Sequence, residues 1–378
     1  MMGSKLDTIS IEGFKSIQSL KDFKLKDLNI LIGGNGAGKS NFIDMFRMLR
    51  AMMELSQPET KTANLGAYFT AGGGINDFLF NGPKETPEFR VELTFGKNKY
   101  RFAIARTADE SFLITNEARY FTGGNAGWWD ICTHSQIPGL LKDKDKPGAS
   151  GGKSISWHVY NSIDSWRIYH FHDTSKNAAV RSSEIIEDNE YFRFDGANIA
   201  PYLLRLREEN SPAYSEIVET IRTVTPFFQD FILKPRKRGE KETVNLSWRQ
   251  KGSDYPLQPY HFSDGTLRFI CLATALLQPD PPSTMTIDEP ELGLHPYAIT
   301  VLAELMHAAS MRTQLIVSTQ SPALVDHFEP EDVIVVNRKH GASTFARLNE
   351  DDLKGWLDEY SLGDLWRKNI VTGGPDHE

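Results

Sequence analysis

Two short stretches carry the residue types that chemistry on a phosphoryl group needs. Gly33-Gly34-Asn35-Gly36-Ala37-Gly38-Lys39-Ser40 fits the pattern G-x-x-x-x-G-K-[ST]. Thr286-Ile287-Asp288-Glu289-Pro290 is an apolar run that ends in paired carboxylates. In the first stretch the glycines let backbone N–H groups turn inward around phosphate oxygens, where a Cβ would obstruct them. Lys39 is then expected to reach the β- and γ-phosphates, and the Ser40 hydroxyl to sit on Mg²⁺. In the second, Asp288 would hold the same Mg²⁺ directly or through water, and Glu289 would orient and polarise an attacking water. Each half explains the other: together they predict binding of a nucleoside triphosphate with magnesium, and its hydrolysis.

The elements that must position these residues are also legible. Leu28-Asn29-Ile30-Leu31-Ile32 is an apolar run ending at glycine and reads as a buried strand. Phe42, Phe46, Leu49 and Met53 recur at helical spacing, so a helix starts after the loop and presents its positive end to the anion. Met285 and Ile287 belong to a second strand, after the turn Pro279-Asp280-Pro281-Pro282. The alternatives, a chance glycine-rich turn and a solvated carboxylate pair, do not explain why strand, loop and helix come in this order.

A third element lies just upstream of the carboxylates. In Phe262-Ser263-Asp264-Gly265-Thr266-Leu267-Arg268, Ser263 or Asp264 reads as the N-cap of a helix running through the apolar stretch Phe269 to Leu277. Here the chain resembles the ABC-type P-loop ATPases, in particular the RecF/SMC-like heads of the AAA "predicted ATPase" group. The resemblance continues in Asp288 to Pro296, in Gln314-Leu315-Ile316-Val317-Ser318-Thr319-Gln320-Ser321-Pro322, in Ile11-Glu12-Gly13-Phe14-Lys15-Ser16-Ile17, and in Trp166–Thr174, Asp195–Leu206 and Trp356–Lys368. It thus covers nearly the whole chain, although only the nucleotide motifs are specific enough to assign roles.

The resemblance implies an ATP-dependent homodimer in which two heads sandwich two ATP molecules. The ligand contacts would come from Asn35, Gly36, Ala37, Gly38, Lys39, Ser40 and Asn41 of one subunit, and from Ser263 and Gly265 of the other, touching the γ-phosphate. Gln320 takes the switch position. Transporter-type relatives usually carry His there, and Asp where this chain has His295. A glutamine can hydrogen-bond a water or the γ-phosphate but takes up no proton at neutral pH. The proton work falls to Glu289 or to no side chain, and slow turnover is expected. The glutamine loop that usually completes the magnesium site is not located; Gln57 is too weak a candidate.

At 378 residues and 40% hydrophobic content the chain can bury a substantial core. The expected fold is α/β: a P-loop NTPase ABC-type head with a mixed central sheet, an antiparallel β layer and a compact helical or irregular insertion. The expected division is 1–121 for the first half of the head, 122–260 for the insertion or lid, 261–345 for the second half and 346–378 for a tail. Phe89, Val91, Leu93 and Phe95 alternate, then Tyr100, Phe102 and Ile104, which reads as a hairpin over 89–105 within the β layer. Residues 122–154, rich in Gly, Lys and Asp, read as a mobile loop. The insertion is too short for a long coiled coil and shows no sustained heptads.

No signal peptide is read at Met1-Met2-Gly3-Ser4-Lys5, and no apolar run reaches about 18 residues, so no membrane span is expected. Cys132 and Cys271 fit reduced thiols, and the expected location is cytoplasmic. A formal charge of −8 argues against a uniformly basic nucleic-acid binder. Lys234, Arg236, Lys237, Arg238 and Lys241 form a local basic run suited to DNA or RNA backbone, but Glu240 and Glu242 dilute it and no aromatic platform is interleaved, which favours a solvated hairpin tip. His170 and His172 could face one side of a strand as metal ligands, with no second ligand pair in view. Trp128-Trp129 and the tail Trp356–Trp366 could be contact surfaces or ordinary packing.

These features lead to a RecF/SMC-like ATPase using head dimerisation in DNA maintenance or anti-phage defence. The alternative is a nucleotide-dependent regulatory subunit of a partner nuclease or toxin, without direct nucleic-acid binding. A transporter energy subunit fits less well, because of Gln320, His295 and the long insertion. A GTPase fits less well still, since no Asn/Thr-Lys-x-Asp segment follows the loop.

Overall fold

The computed structural model describes residues 3–57, 62–63, 65–123, 127–148 and 151–371. Its centre is a six-stranded sheet in the spatial order Arg167–Tyr169, Thr284–Asp288, Gln314–Ser318, Leu28–Ile32, Val333–Lys339, Ala342–Arg347. The first five strands are parallel and the last returns antiparallel as a hairpin. The inner strands are buried on both faces, which is why they read as continuous apolar runs rather than alternating ones.

The two faces are separated by the period-two alternation of each strand. Leu31, Ile316, Ile334 and Val336 point to one side, into a core shared with helix Lys39–Met53 and a second sheet. Leu28, Ile30, Ile32, Met285, Ile287, Leu315 and Val317 point to the other. There they pack with helices Asp264–Leu277 and Pro296–Ser310, and with the insertion helices Ile199–Glu209 and Ser211–Val224. Those two insertion helices have 11 and 14 residues, so the insertion is compact, as its lack of heptads predicts.

The second sheet is antiparallel, in the order Ile17–Lys24, Thr8–Phe14, Glu88–Phe95, Asn98–Arg106, Phe112–Phe121, Gly127–Cys132. The hairpin expected over 89–105 is its middle pair, with Phe89 opposite Ile104 and Leu93 opposite Tyr100. Strand Gly127–Cys132 differs from expectation: it lies inside the stretch that reads as a loop. It is half-exposed or exposed along its length, and its residues Trp128-Trp129-Asp130-Ile131-Cys132 show no apolar alternation to announce it. Strand Arg167–Tyr169, only three residues long, is the edge strand beside Thr284–Asp288.

The tail packs on its own domain. Leu362 and Leu365 of helix Leu362–Arg367 are buried, and Gly363 N–H donates to Asp326 Oδ1 at 2.6 Å. The basic run forms an exposed hairpin, Arg236–Arg238 paired with Lys241–Val244. Trp128 stacks under the Arg101 guanidinium, 4.1 Å from its ring centroid, while Trp129 is exposed. Both cysteines are free thiols. Among the described residues no helix is long and apolar enough to cross a membrane.

Candidate active site

The chemistry-bearing residues of the two sequence motifs fall at the carboxyl ends of two parallel strands separated by one other, Gln314–Ser318, on the side of the sheet where open α/β folds place their ligands. The loop after Leu28–Ile32 turns tightly. Gly33 and Gly38 have φ of 154° and 115°, and a Cβ at either would collide, with the Val336 carbonyl at Gly33 and with the Ser343 hydroxyl at Gly38. Only glycine fits either position. Helix Lys39–Met53 begins directly after Gly38, with Asn35, Gly36 and Ser40 exposed at the mouth and Ala37 buried beneath.

The back of this loop is held by a directed chain of hydrogen bonds. Asn41 Nδ2 donates to Ser16 Oγ at 2.6 Å, Ser16 and Ser343 share a 2.6 Å hydroxyl contact, and Ser343 Oγ donates to Ala37 O at 2.6 Å. Since Ser343 uses its only proton on Ala37, Ser16 is the donor between the two hydroxyls. The Asn41 amide therefore faces the turn Lys15-Ser16 rather than the mouth of the loop.

Lys39 is buried and folds back on its own loop, donating to Gly33 O at 2.6 Å and Gly34 O at 3.1 Å. Burial holds its ammonium below the ordinary lysine value, opposed by the nearby carboxylates of Glu289, Asp288 and Glu291. A buried, poorly solvated cation resting on two loop carbonyls at the start of a helix can be drawn to an anion.

Two strands away, Asp288 closes strand Thr284–Asp288 directly opposite Ser318, whose hydroxyl donates to its carboxylate. Arg47 Nη2 stands 3.9 Å from the other oxygen, and His172 Nε2 lies 2.9 Å from the Asp288 carbonyl. Glu289 follows in a left-handed conformation, φ 42°, with its N–H donating to Ser318 O at 2.9 Å. A non-glycine residue there costs on the order of 1–2 kcal/mol. The turn aims its carboxylate at Gln320, whose side-chain amide donates to it.

Glu291, quoted in the sequence only as part of a run, anchors this corner. It is buried; Oε1 accepts from Thr319 Oγ1 at 2.6 Å and from Gln320 N–H at 3.0 Å, while among the described residues Oε2 has no hydrogen-bond partner. Burial pushes its carboxyl above the ordinary range, against those two hydrogen bonds. Arg268 plays the same part for the third motif. Its guanidinium donates to Phe171 O at 3.0 Å, to His172 O at 3.1 Å and to Leu292 O. Ser263 caps helix Asp264–Leu277 by accepting from Thr266 N–H at 3.2 Å, and Gly265 lies against Gly293, whose carbonyl a Cβ would strike. Among the described residues neither Ser263 nor Gly265 hydrogen-bonds the loop around Lys39; both stand exposed or half-exposed on the adjoining face.

The donor set fits magnesium: a serine hydroxyl and a carboxylate, oxygen atoms only, leaving most positions for water and phosphate. No group of three or more His, Cys, Asp or Glu side chains among the described residues could hold a metal by itself. The rings of His170 and His172 lie tilted against each other, centroids 4.1 Å apart, with His172 Nε2 2.9 Å from the Asp288 carbonyl. Gln57 ends strand Leu55–Gln57, its side chain outside the described part. Charged residues that prove to be buried, Glu291 and Arg268, were not assigned from sequence because such side chains are surface-bound by default; their only signal was position within motifs already singled out.

A family profile described as "AAA domain, putative AbiEii toxin, Type IV TA system" matches residues 28–326. Among solved structures, the chain is similar to the SMC head bound to the C-winged helix domain of ScpA, at 16% identity over 94% of this chain and 99% of that one, TM-score 0.55. It is also similar to the Smc head domain with an extended coiled coil bound to the C-terminal domain of ScpA, derived from Pyrococcus furiosus, at 14% identity over 94% and 99%, TM-score 0.52. At such identities the likeness is one of fold. No curated protein matches the chain.

Proposed function

The chain belongs to this family of AAA-type ATPases and has the fold of an SMC head, and from that premise we propose that it binds and hydrolyses ATP, slowly, through ATP-driven pairing of two heads. The observation that carries the reading is the meeting of Lys39, Asp288, Glu289 and Gln320 at the carboxyl end of the inner strands, from motifs far apart in sequence. Lys39 and the N–H groups of Asn35 to Asn41 cradle the triphosphate. Ser40 and Asp288 are the oxygens that would hold magnesium, which when bound neutralises charge on the β- and γ-phosphates. Glu289, fixed by its left-handed turn and by Gln320, orients the attacking water. Gln320 has no proton to exchange at neutral pH, so Glu289 alone is left to accept one.

Among the described residues Ser263 and Gly265 make no hydrogen bond to the cradle of their own chain, and Leu292 and Tyr297, which flank in sequence the Gly293 that Gly265 packs against, are exposed. This supports their acting in trans, on the γ-phosphate held by a second copy. Hydrolysis then releases the dimer, because the γ-phosphate is the shared ligand. Glu289→Gln should bind ATP, lose turnover and accumulate as a dimer in sedimentation; a strictly monomeric ATP-bound mutant would sink the sandwich.

DNA maintenance or anti-phage defence is the setting we favour. A second reading, a nucleotide-controlled partner of a toxin or nuclease, draws support from the net charge of −8 and from the toxin–antitoxin wording of the family. Turnover measured with and without duplex DNA, at low and moderate salt, separates the two. Salt-sensitive stimulation points to direct sensing, with the hairpin Arg236–Val244 as the next target; an unchanged rate points to the partner.

A further inference from the structure

Beside the catalytic carboxylates lies a groove of about 640 Å³ to which the mechanism gives no task. In a chain of net charge −8 its lining carries four arginines and only two carboxylates, Glu54 and Asp188. Two of the arginines are engaged: Arg50 with Asp164 and Glu54 at 3.0 and 3.1 Å, and Arg193 with Asp188 at 3.1 Å. The other two have cationic capacity to spare. Arg47 reaches Asp44 and Asp288 only at 3.9 Å each. Among the described residues Arg167 faces no carboxylate within ion-pair distance; it donates to the carbonyls of Asp164 and Trp166 and lies 5.0 Å from the Tyr191 ring centroid.

Two large aromatic side chains stand open at the same groove, Tyr191 54% and Phe194 58% exposed. Their exposure does not come from a loose loop. The fully buried Asn198 holds the segment by donating to Tyr191 O at 2.8 Å and Asp188 O at 3.1 Å, and by accepting from Arg193 N–H at 2.9 Å. His170 N–H donates to Phe194 O at 3.0 Å, tying the loop to the edge strand. Aromatic faces held rigidly open beside under-neutralised guanidinium groups are the physical requirement for taking a base and its phosphate together.

We propose that this groove is a second ligand site that takes a nucleotide unit, its base stacked on Tyr191 or Phe194 and its phosphate on Arg167 and Arg47. The unit comes either as a free nucleotide or as part of an unpaired strand, since both present the same two groups. The site is wired to the catalytic corner. Arg47 lines the groove and reaches Asp288 at 3.9 Å, and the His170 ring in the groove lies against that of His172, centroids 4.1 Å apart, whose Nε2 is 2.9 Å from the Asp288 carbonyl. An occupant that draws Arg47 toward its phosphate changes the charge facing Asp288. The proposal is independent of whether heads pair.

The test uses the full chain with its cradle first saturated with ATPγS and magnesium, so that the phosphate loop cannot take the probe. A short fluorescein-labelled oligothymidylate is titrated by anisotropy, with unlabelled thymidine monophosphate as competitor. Binding is expected, weakened about tenfold or more in Tyr191→Ala and in Arg47→Ala, kept in Tyr191→Phe, and falling with salt. Competition by the mononucleotide identifies a free-nucleotide site, and competition only by unlabelled oligomer identifies a strand site. No binding to the ATPγS-filled protein overturns the proposal. So does binding that Tyr191→Ala and Arg47→Ala leave intact while Lys237→Ala with Arg238→Ala abolishes it, since that places the probe on the basic hairpin.

Discussion

The side-chain amide of Gln320 donates to the carboxylate of Glu289, joining the segment just past strand Gln314–Ser318 to the residue just past strand Thr284–Asp288. The partner backbone groups reinforce the join, because Glu289 N–H donates to Ser318 O and Gln320 N–H to Glu291 Oε1. The carboxylate that we propose aims a water is thereby held by a neutral donor.

Gln320→Ala removes that donor and leaves Glu289 its backbone turn. We expect turnover to drop about tenfold, a modest share of what positioned acid–base groups contribute, with little change in ATP affinity. Single-turnover phosphate release alongside equilibrium binding of a fluorescent ATP analogue checks it. A loss confined to affinity would mean that the amide serves the triphosphate and not the carboxylate.

Gly38→Ala strikes the cradle itself. The methyl group must share the space of the Ser343 hydroxyl at a backbone angle that L-residues avoid. ATP binding should fall on the order of 100-fold while the helical circular dichroism stays native. Retained affinity in this variant would refute the placement of phosphate against this loop.

Glu291 should reveal itself in the pH dependence of stability. Burial raises its folded pKa above the unfolded value, so the folded state holds a proton that the unfolded state has lost. The favourable contribution is complete below the ordinary carboxylate range and is lost as pH rises through the raised folded value. Glu291→Gln cannot lose that proton. Its melting temperature should therefore gain on wild type as pH rises from about 5 to 8, in thermal scans of both. Parallel curves across that window would rule the carboxyl out as a titrating group.

Arg268→Ala withdraws one donor group from three carbonyls, those of Phe171, His172 and Leu292. With buried acceptors left unmatched we expect a loss of about 3 kcal/mol, read in urea unfolding. Arg268→Lys should recover only part of it, since an ammonium cannot span three carbonyls in one plane as the guanidinium fork does.

The sequence showed the cradle because three signals coincide in thirty or so residues: an apolar run, a glycine pattern, and apolar positions at helical spacing. It showed Asp288 and Glu289 for a similar reason, the abrupt end of a buried run. What stayed hidden is short or contradicts residue-type expectation. Arg167–Tyr169 is too brief for periodicity to register, so its place beside the carboxylate strand, and with it the meaning of His170 and His172, could come only from pairing. Gly127–Cys132 is half-exposed on both faces. Glu291 and Arg268 are charged residues spent inside the molecule. The contact of Ser343 with Ala37 spans most of the chain, and no local pattern announces a bond of that kind.

The order of strands in the central sheet has a consequence for how the molecule can breathe. Strand Gln314–Ser318 lies between Leu28–Ile32 and Thr284–Asp288, paired to both and wholly buried. The cradle and the carboxylates cannot part unless this middle strand loses a ladder, and that amounts to unfolding the head. Amide protons of residues 315–318 should consequently exchange with solvent only through global opening, whereas those of Leu292 to Leu294 exchange by local events. Plasticity is left to the rim, and the spacing between the two chemical halves is as durable as the fold.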